Sequence, residues 1–490
     1  MAAEKYKRLA KDTGLFALSS FGSKLLLFLL TPLYTSILLT EEYGKADILS
    51  TTVTLVYPLL TLAISDAVLR FAMDSDADNG VVLRTSLLFV VSSTIVLWFF
   101  QPLLSLISIA LSEYWIFFVF TYFLFNLHSC FSNFMKGIGK TKLFAIQGII
   151  QTVGIIASNL LFLIVFKFGL KGYLCSIIIG YTLPIIFMFV FGKLYRFLIP
   201  LKIDKGTLVR MLKYSVPLIP TLIAWTINAS IDRYMIIWFV GESENGIYSV
   251  AHKIPTLFTT VATVFVSAWQ LSAISNYGSK DDSDFYTMVY NGLHLVSIFA
   301  VMAIVALSKP FAALLFAKDF YAGWQYVPML TLSALFSAYS GFLAAANRAA
   351  KKTTILLISV IIGAFINIVL NLFLIPRYGA LGASIATFIS FFFVWLIRIV
   401  SVQWIIRVKI NIVKTSVSLL LLIISCVFIT FDLSFRFLVW GGSLALLLLI
   451  YLFDIIDMAK KIIKVIKEKH FKNTKDIHDS SETNSEGIKS

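Results

Sequence analysis

From Gly14 to Phe453 the chain consists of about fourteen long apolar stretches separated by short polar turns. A helix needs about 20 apolar residues to cross the hydrocarbon of a bilayer. Backbone N–H and C=O groups find no water there, so each stretch must satisfy them internally as a helix. This restricts the chain to one fold class, an all-α polytopic membrane protein. Composition agrees, with 59% of residues hydrophobic and 14% charged, against roughly 45–50% and 25% in soluble domains. The stretches cover residues 14–39, 46–71, 85–108, 114–135, 143–166, 172–192, 214–240, 247–275, 290–316, 325–347, 353–375, 379–404, 415–430 and 435–457. No small-x-small cleavage pattern follows a short apolar region at the start, so the first stretch reads as a retained span. Cys130, Cys175 and Cys426 show no paired or metal-like spacing and read as packing residues.

Charge sets the orientation. An even number of spans puts both termini on one side. Of 41 Lys and Arg, 29 fall on that side, 5 on the other and 7 within spans. The excess places both termini in the cytoplasm and the protein in the cell (cytoplasmic) membrane. The +15 net charge is then a consequence of topology rather than of a nucleic-acid-binding face. From Lys460 the tail begins with KKIIKVIKEKHFKN, a basic amphipathic stretch suited to anionic membrane lipids. The remainder is polar and reads as disordered.

A basic cytoplasmic loop, 193–213, separates two halves of six spans each, 1–192 and 214–404. Two further spans (405–457) and the tail (458–490) follow. The halves repeat each other. YTSILLTEEYGKADIL in the first matches IIWFVGESENGIYSVA in the second, each with an acidic pair just before a glycine turn. Gly44 and Gly246 correspond, 202 residues apart; Gly169 and Gly172 correspond to Gly379 and Gly382, 210 apart. Because six is even, the halves share an orientation. A pseudo-two-fold axis then runs along the membrane normal, and a substrate cavity is expected between the two bundles.

The run GSKLLLFLLTPLYTSILLTEEYGKADIL resembles the opening of polysaccharide-export flippases. So does LKYSVPLIPTLIAWTINASIDRYMIIWFVGESENGIYSVAHKIPTLFTT, with Pro217, Pro220, the pair Asp232–Arg233 and the turn Gly246–Ser249 in the family's order. The resemblance covers the first twelve spans. It implies membership of the multidrug/oligosaccharidyl-lipid/polysaccharide exporter superfamily. It also implies alternating-access transport of undecaprenyl-pyrophosphate-linked oligosaccharide to the outer leaflet, for surface polysaccharide biosynthesis. A polymerase and glycosyltransferases are the implied partners. A lipid II-type flippase and a cation-coupled multidrug or ion antiporter of the same superfamily are the nearer alternatives. A membrane glycosyltransferase or polymerase is the alternative from another class, but it calls for a large extramembrane domain that these loops do not supply. No Walker A loop and no His-x-x-His or Cys-x-x-Cys pattern occurs, so neither an enzyme nor a cofactor is expected. A H+ or Na+ gradient is the expected energy source.

An ionisable side chain inside a spanning helix is costly and marks a candidate site. Among the ionisable residues within spans, the cations Lys24, Arg70, Arg233, Lys253 and Arg398 stand against the carboxylates Asp66 and Asp232 as candidates. That balance suits a pyrophosphate. Lys24, Arg70, Arg233 and Lys253 are the candidate cavity cations, and Asp66 and Asp232 the candidate coupling or ion-pair groups. Local readings stand beside these. Lys24 is open to pairing with Asp66. Asp66 and Arg70, four apart, share a helix face. Lys253 and Arg398 lie near enough to span ends to snorkel. Asp232 and Arg233 point about 100° apart, which suits Arg233 on the cavity and Asp232 bonded within its bundle. Gln147, Gln151, Asn159, Asn367 and Asn371 are candidate glycan contacts or interhelical hydrogen bonds. His128 and His294 stand isolated. Pro32, Pro58, Pro184, Pro217, Pro220 and Pro255 are candidate kinks.

Overall fold

In a computed structural model the described residues are 22, 24–74, 78–199, 204–278 and 282–456. The tail from Lys460 and the beginning of the first span lie outside them. The helices are α1 (Lys24–Ile37), α2 (Thr40–Leu60), α3 (Ile64–Ala72), α4 (Asn79–Phe99), α5 (Trp115–Gly137), α6 (Thr141–Asn159) and α7 (Gly169–Phe191). They continue with α8 (Lys205–Ser215), α9 (Ile219–Phe239), α10 (Glu242–Ala251), α11 (Lys253–Asn276), α12 (Asp282–Ala306) and α13 (Val327–Ala349). A helix Thr353–Gln403 is broken at Gly379 into α14 (353–378) and α15 (380–403), and α16 (Ile412–Thr430) and α17 (Arg436–Ile456) follow. Among the described residues nine helices are long and apolar enough to cross a bilayer, or up to eleven with the bent pairs α2–α3 and α10–α11. Dividing the longest at Gly379 and adding α1 and α9 gives each of the fourteen sequence stretches a helix.

The breaks have local causes. Pro58 lacks an N–H, and Leu62 and Ala63 take positive φ (52° and 51°), so α2 and α3 meet at 66°. The pair α10–α11 bends by 43° at His252, with Pro255 in the turn that follows. Gly169 and Gly379 both adopt left-handed φ (54° and 55°), where a glycine meets no Cβ penalty, and they open corresponding sixth and twelfth spans. Pro217 and Pro220 start helices rather than bend them, Pro32 lies within α1 just past a turn at Leu30, and Pro184 lies within the continuous α7. The ninth span ends at Ala306, short of 316, and a separate short helix, Ser308–Leu315, follows it. The segment 193–213 is not simply a loop, because it carries α8.

Successive spans alternate in direction. The face carrying α8 and Ile456 is called proximal here, and the opposite face distal. Helices α1–α7 form one lobe, in which α7 packs on α5 and α6, and α5 on α3 and α4. Helices α9–α15 form the other around α13, which lies against α11, α14 and α15, with α16 against α12 and α13. The extensive contacts between lobes are on the distal side. They join α2 to α10 and α9, and α1 to the segment 308–325. On the proximal side the extensive bridge is α8, which runs into α9 through Val216–Leu218 and packs on α3 and α4.

Candidate functional site

At the distal face α2 crosses α10. A Cβ on Gly44 would collide with the carbonyl of Glu242, and a Cβ on Gly246 with the carbonyl of Thr40. Both pairings are reciprocal under the 202-residue repeat, so corresponding residues of the two halves meet one another. The expected glycine turns are therefore buried helical positions, small because backbones touch there. Thr40 Oγ1 lies 2.6 Å from Ser243 Oγ, and Asn245 Nδ2 donates to the Gly44 carbonyl at 3.2 Å. Beside the crossing, Lys45 Nζ lies 2.9 Å from Glu41, 3.2 Å from Glu113 and 3.9 Å from Glu242 across the lobe boundary.

One helical turn below the crossing is a charged cluster. Arg233 Nε on α9 lies 3.1 Å from Asp47 Oδ2 on α2. The two atoms are close but not aligned for a hydrogen bond, and neither has another partner. Arg233 Nη1 is 3.5 Å from Thr51 Oγ1, and Thr52 Oγ1 is 3.1 Å from the Tyr234 hydroxyl. Asp47 and Arg233 are also the charges that act on Lys253, at the bend into α11. One ion pair thus bridges the lobes, with a second cation within reach of its charges. Sequence reasoning missed Asp47 because it is the second residue of the drawn span, where an acid passes for a loop residue. Lys253 does not lie at the distal edge, since the extra helix α10 carries the span's start beyond it.

Within the second lobe Asp232 is buried and turns away from this cluster. It accepts from the Tyr248 hydroxyl and, at 3.2 Å, from Thr387 Oγ1. Asn367 Nδ2 donates to Thr387 Oγ1 at 3.3 Å and Asn371 Nδ2 to Asn367 Oδ1 at 3.0 Å. Asn371 Oδ1 is buried without a partner. Four oxygen-bearing side chains from α9, α14 and α15 therefore converge, with one anionic charge whose neighbour Arg233 is committed to Asp47.

The remaining candidates are dispersed. Lys24 is exposed at the proximal end of α1 and bonds to no described residue. Asp66 does not neutralise it: Lys136 is the cation acting on Asp66, whose Oδ2 has no hydrogen-bond partner. Arg70 pairs with Asp74, one turn along, instead of Asp66. Arg398 does not snorkel. It is 5% exposed, with Nε 2.9 Å from Ser359 Oγ and Nη1 2.9 Å from the Ser340 carbonyl. Gln147 bonds His128 Nε2 at 2.7 Å, and His294 bonds Tyr339 and Ser418, so neither histidine is isolated. Asn159 is buried and donates to the Ile155 carbonyl, leaving Gln151 the half-exposed member of the glycan-contact set.

A profile described as polysaccharide biosynthesis protein matches residues 9–270, more than half of the chain. The chain belongs to that family. A second profile, MatE, matches residues 217–373. An uncharacterized membrane protein of Methanocaldococcus jannaschii is 25% identical over 292 residues, 57% of this chain and 68% of its own. The lipid II flippase MurJ, in an inward closed conformation, superimposes with a TM-score of 0.68 at 18% identity over 90% of this chain and 99% of that one. An inward-facing multidrug resistance MATE family transporter of the MOP superfamily gives 0.65 at 13% identity, over 80% of this chain and all (100%) of that one. An outward-facing transporter of that kind gives 0.55 at 17% identity, over 80% and 93%. These likenesses show the two-bundle exporter fold. The chain is thus a multi-pass membrane protein of the polysaccharide biosynthesis family with the fold of these transporters and flippases.

Proposed function

We propose that the protein flips a lipid carrying an oligosaccharide on a polyprenyl (undecaprenyl) pyrophosphate across the cytoplasmic membrane, by alternating access. The proximal face and both termini are cytoplasmic in this reading. The observation that carries it is the Arg233–Asp47 contact across the lobe interface, with Lys253 close enough to feel both charges, beneath a closed distal crossing. Lys253 adds a second cation beside the pair, and the Arg233–Asp47 contact is misaligned. An anionic head arriving from the proximal side competes with Asp47 for a guanidinium suited to phosphate. Freeing Asp47 weakens the α2–α9 contact that holds the lobes together distally, while the polyprenyl tail stays in lipid. Lys24, exposed on α1, is placed to meet the head first.

The cluster of Asp232, Asn367, Asn371 and Thr387 is proposed as the coupling site for Na+ or H+. Hard oxygen donors around one buried carboxylate suit an alkali cation or a proton, and the unpartnered Asn371 oxygen supplies a vacant donor. Glycosyltransferases and a polymerase would supply and consume the cargo.

The test is translocation of a fluorescent oligosaccharyl polyprenyl pyrophosphate in proteoliposomes. Arg233→Gln and Lys253→Gln should each slow it about tenfold or more at unchanged protein level, since each removes a charge-assisted bond of about 1.5–3 kcal/mol. Arg233→Lys should keep more activity than Arg233→Gln. Equal transport of an analogue lacking the pyrophosphate would overturn the reading. Complementation of strains lacking a repeat-unit flippase or a lipid II flippase separates the two glycan classes.

A further inference from the structure

Helix α8 is a strap, covalently part of the second lobe and packed on the first. Its buried side carries Met211 and Ser215 against α3 and α4. The opposite face presents Lys205, Arg210 and Lys213, all exposed, beside exposed Val209, Tyr214 and Val216. Arg210 bonds only the Thr207 hydroxyl, at 3.1 Å, among the described residues. The nearby carboxylate, Asp204, is occupied in capping the helix, accepting from Thr207 N at 2.6 Å. None of the three cations forms an ion pair with a carboxylate among the described residues, although the charge of Arg210 reaches Asp204. Orientation by charge excess needs cations only somewhere on this side. It does not call for them on one helix face, interleaved with exposed apolar groups, at the level where the sixth span ends and the seventh begins. A helix with one face on protein and the other carrying cations interleaved with apolar side chains fits the lipid headgroup layer.

We infer that α8 is a docking surface for anionic phospholipid headgroups of the leaflet on the proximal face, with Lys205, Arg210 and Lys213 binding phosphate and Val209 and Val216 entering the acyl boundary. Because the strap joins both lobes, bound anionic lipid fixes the height of α3 relative to α9. The inference stands apart from the cargo assignment, and nanodiscs expose both leaflets, so its test does not depend on orientation.

The test uses the full chain in nanodiscs of phosphatidylcholine alone or with one third phosphatidylglycerol. Native mass spectrometry of the released protein should show phosphatidylglycerol retained over phosphatidylcholine by at least about tenfold, since each basic residue near an anionic surface contributes several-fold. Trypsin cleavage within α8 should slow by a similar factor in the anionic discs. The variant K205Q/R210Q/K213Q, which has no trypsin site left in α8, should lose the lipid preference, whereas K205R/R210K/K213R and K351Q/K352Q, the latter on the same face outside α8, should retain both effects. Equal retention of the two lipids by the unaltered chain would overturn the inference. So would loss of the preference in K351Q/K352Q, which would make it a property of general charge. Protection of α8 by a short-chain polyprenyl pyrophosphate but not by phosphatidylglycerol would assign the strip to the cargo and overturn it equally.

Discussion

At the scale of single residues, adjacent side chains have been given opposite tasks. Asp232 and Arg233 are neighbours, yet one closes a dry oxygen cluster inside its lobe and the other reaches across to Asp47. Asp232→Asn keeps the shape and removes the charge, so it should abolish the dependence of transport on a Na+ or H+ gradient while leaving the fold intact. Flux measured with and without each gradient checks this, and gradient dependence that persists in the variant would exclude Asp232 as the coupling group. Arg398 behaves differently because its guanidinium bonds only neutral acceptors from α13 and α14. Arg398→Leu should leave those acceptors dry, at about 1–3 kcal/mol each. A lower melting temperature, with normal transport per folded molecule, is the expected result. The angular separation of 232 and 233 was legible from helix geometry alone. The partners were not, because Asp47 and Thr387 lie far away in sequence and only packing brings them in.

At the scale of elements, the distal gate is a crossing of two helices whose side chains have been pared away. Gly44→Leu or Gly246→Leu should prevent closure, and probes at the distal face should then label Asp47 neighbours in the resting protein. Thr40→Cys with Ser243→Cys should form a disulfide that halts transport until it is reduced, since the replaced hydroxyl oxygens are 2.6 Å apart. Failure of this pair to cross-link in membranes would contradict the closed crossing. The apolar periods announced the spans, because the bilayer leaves a helix no alternative. They did not show that the second and eighth spans are bent pairs, which only Pro58 and Pro255 marked as candidate kinks, or that α8 lies along the surface. Those outcomes depend on left-handed residues such as Leu62 and Ala63, and on a short amphipathic run that resembles a loop.

At the scale of the whole molecule, the duplication is faithful in its backbone and broken in its chemistry. Under the 210-residue correspondence Asn367, Asn371 and Thr387 align with Ala157, Leu161 and Ile177, so the oxygen cluster exists in one lobe only. The repeat was readable from six glycines, since glycine is retained where backbones touch or φ turns positive. The polar asymmetry was not, because Gln147 and Gln151 in the fifth span gave a false echo of Asn367 and Asn371. The reciprocal contact at Gly44 and Gly246 carries a further consequence. A surface that meets its own copy about a two-fold axis is what a homodimer uses. The gate therefore needs no covalent link between the halves, and it could have served two identical six-helix chains before they were joined. Residues 1–199 and 204–490, produced as separate polypeptides in one cell, should find each other through that crossing and purify together, and Gly44→Leu should stop them from doing so.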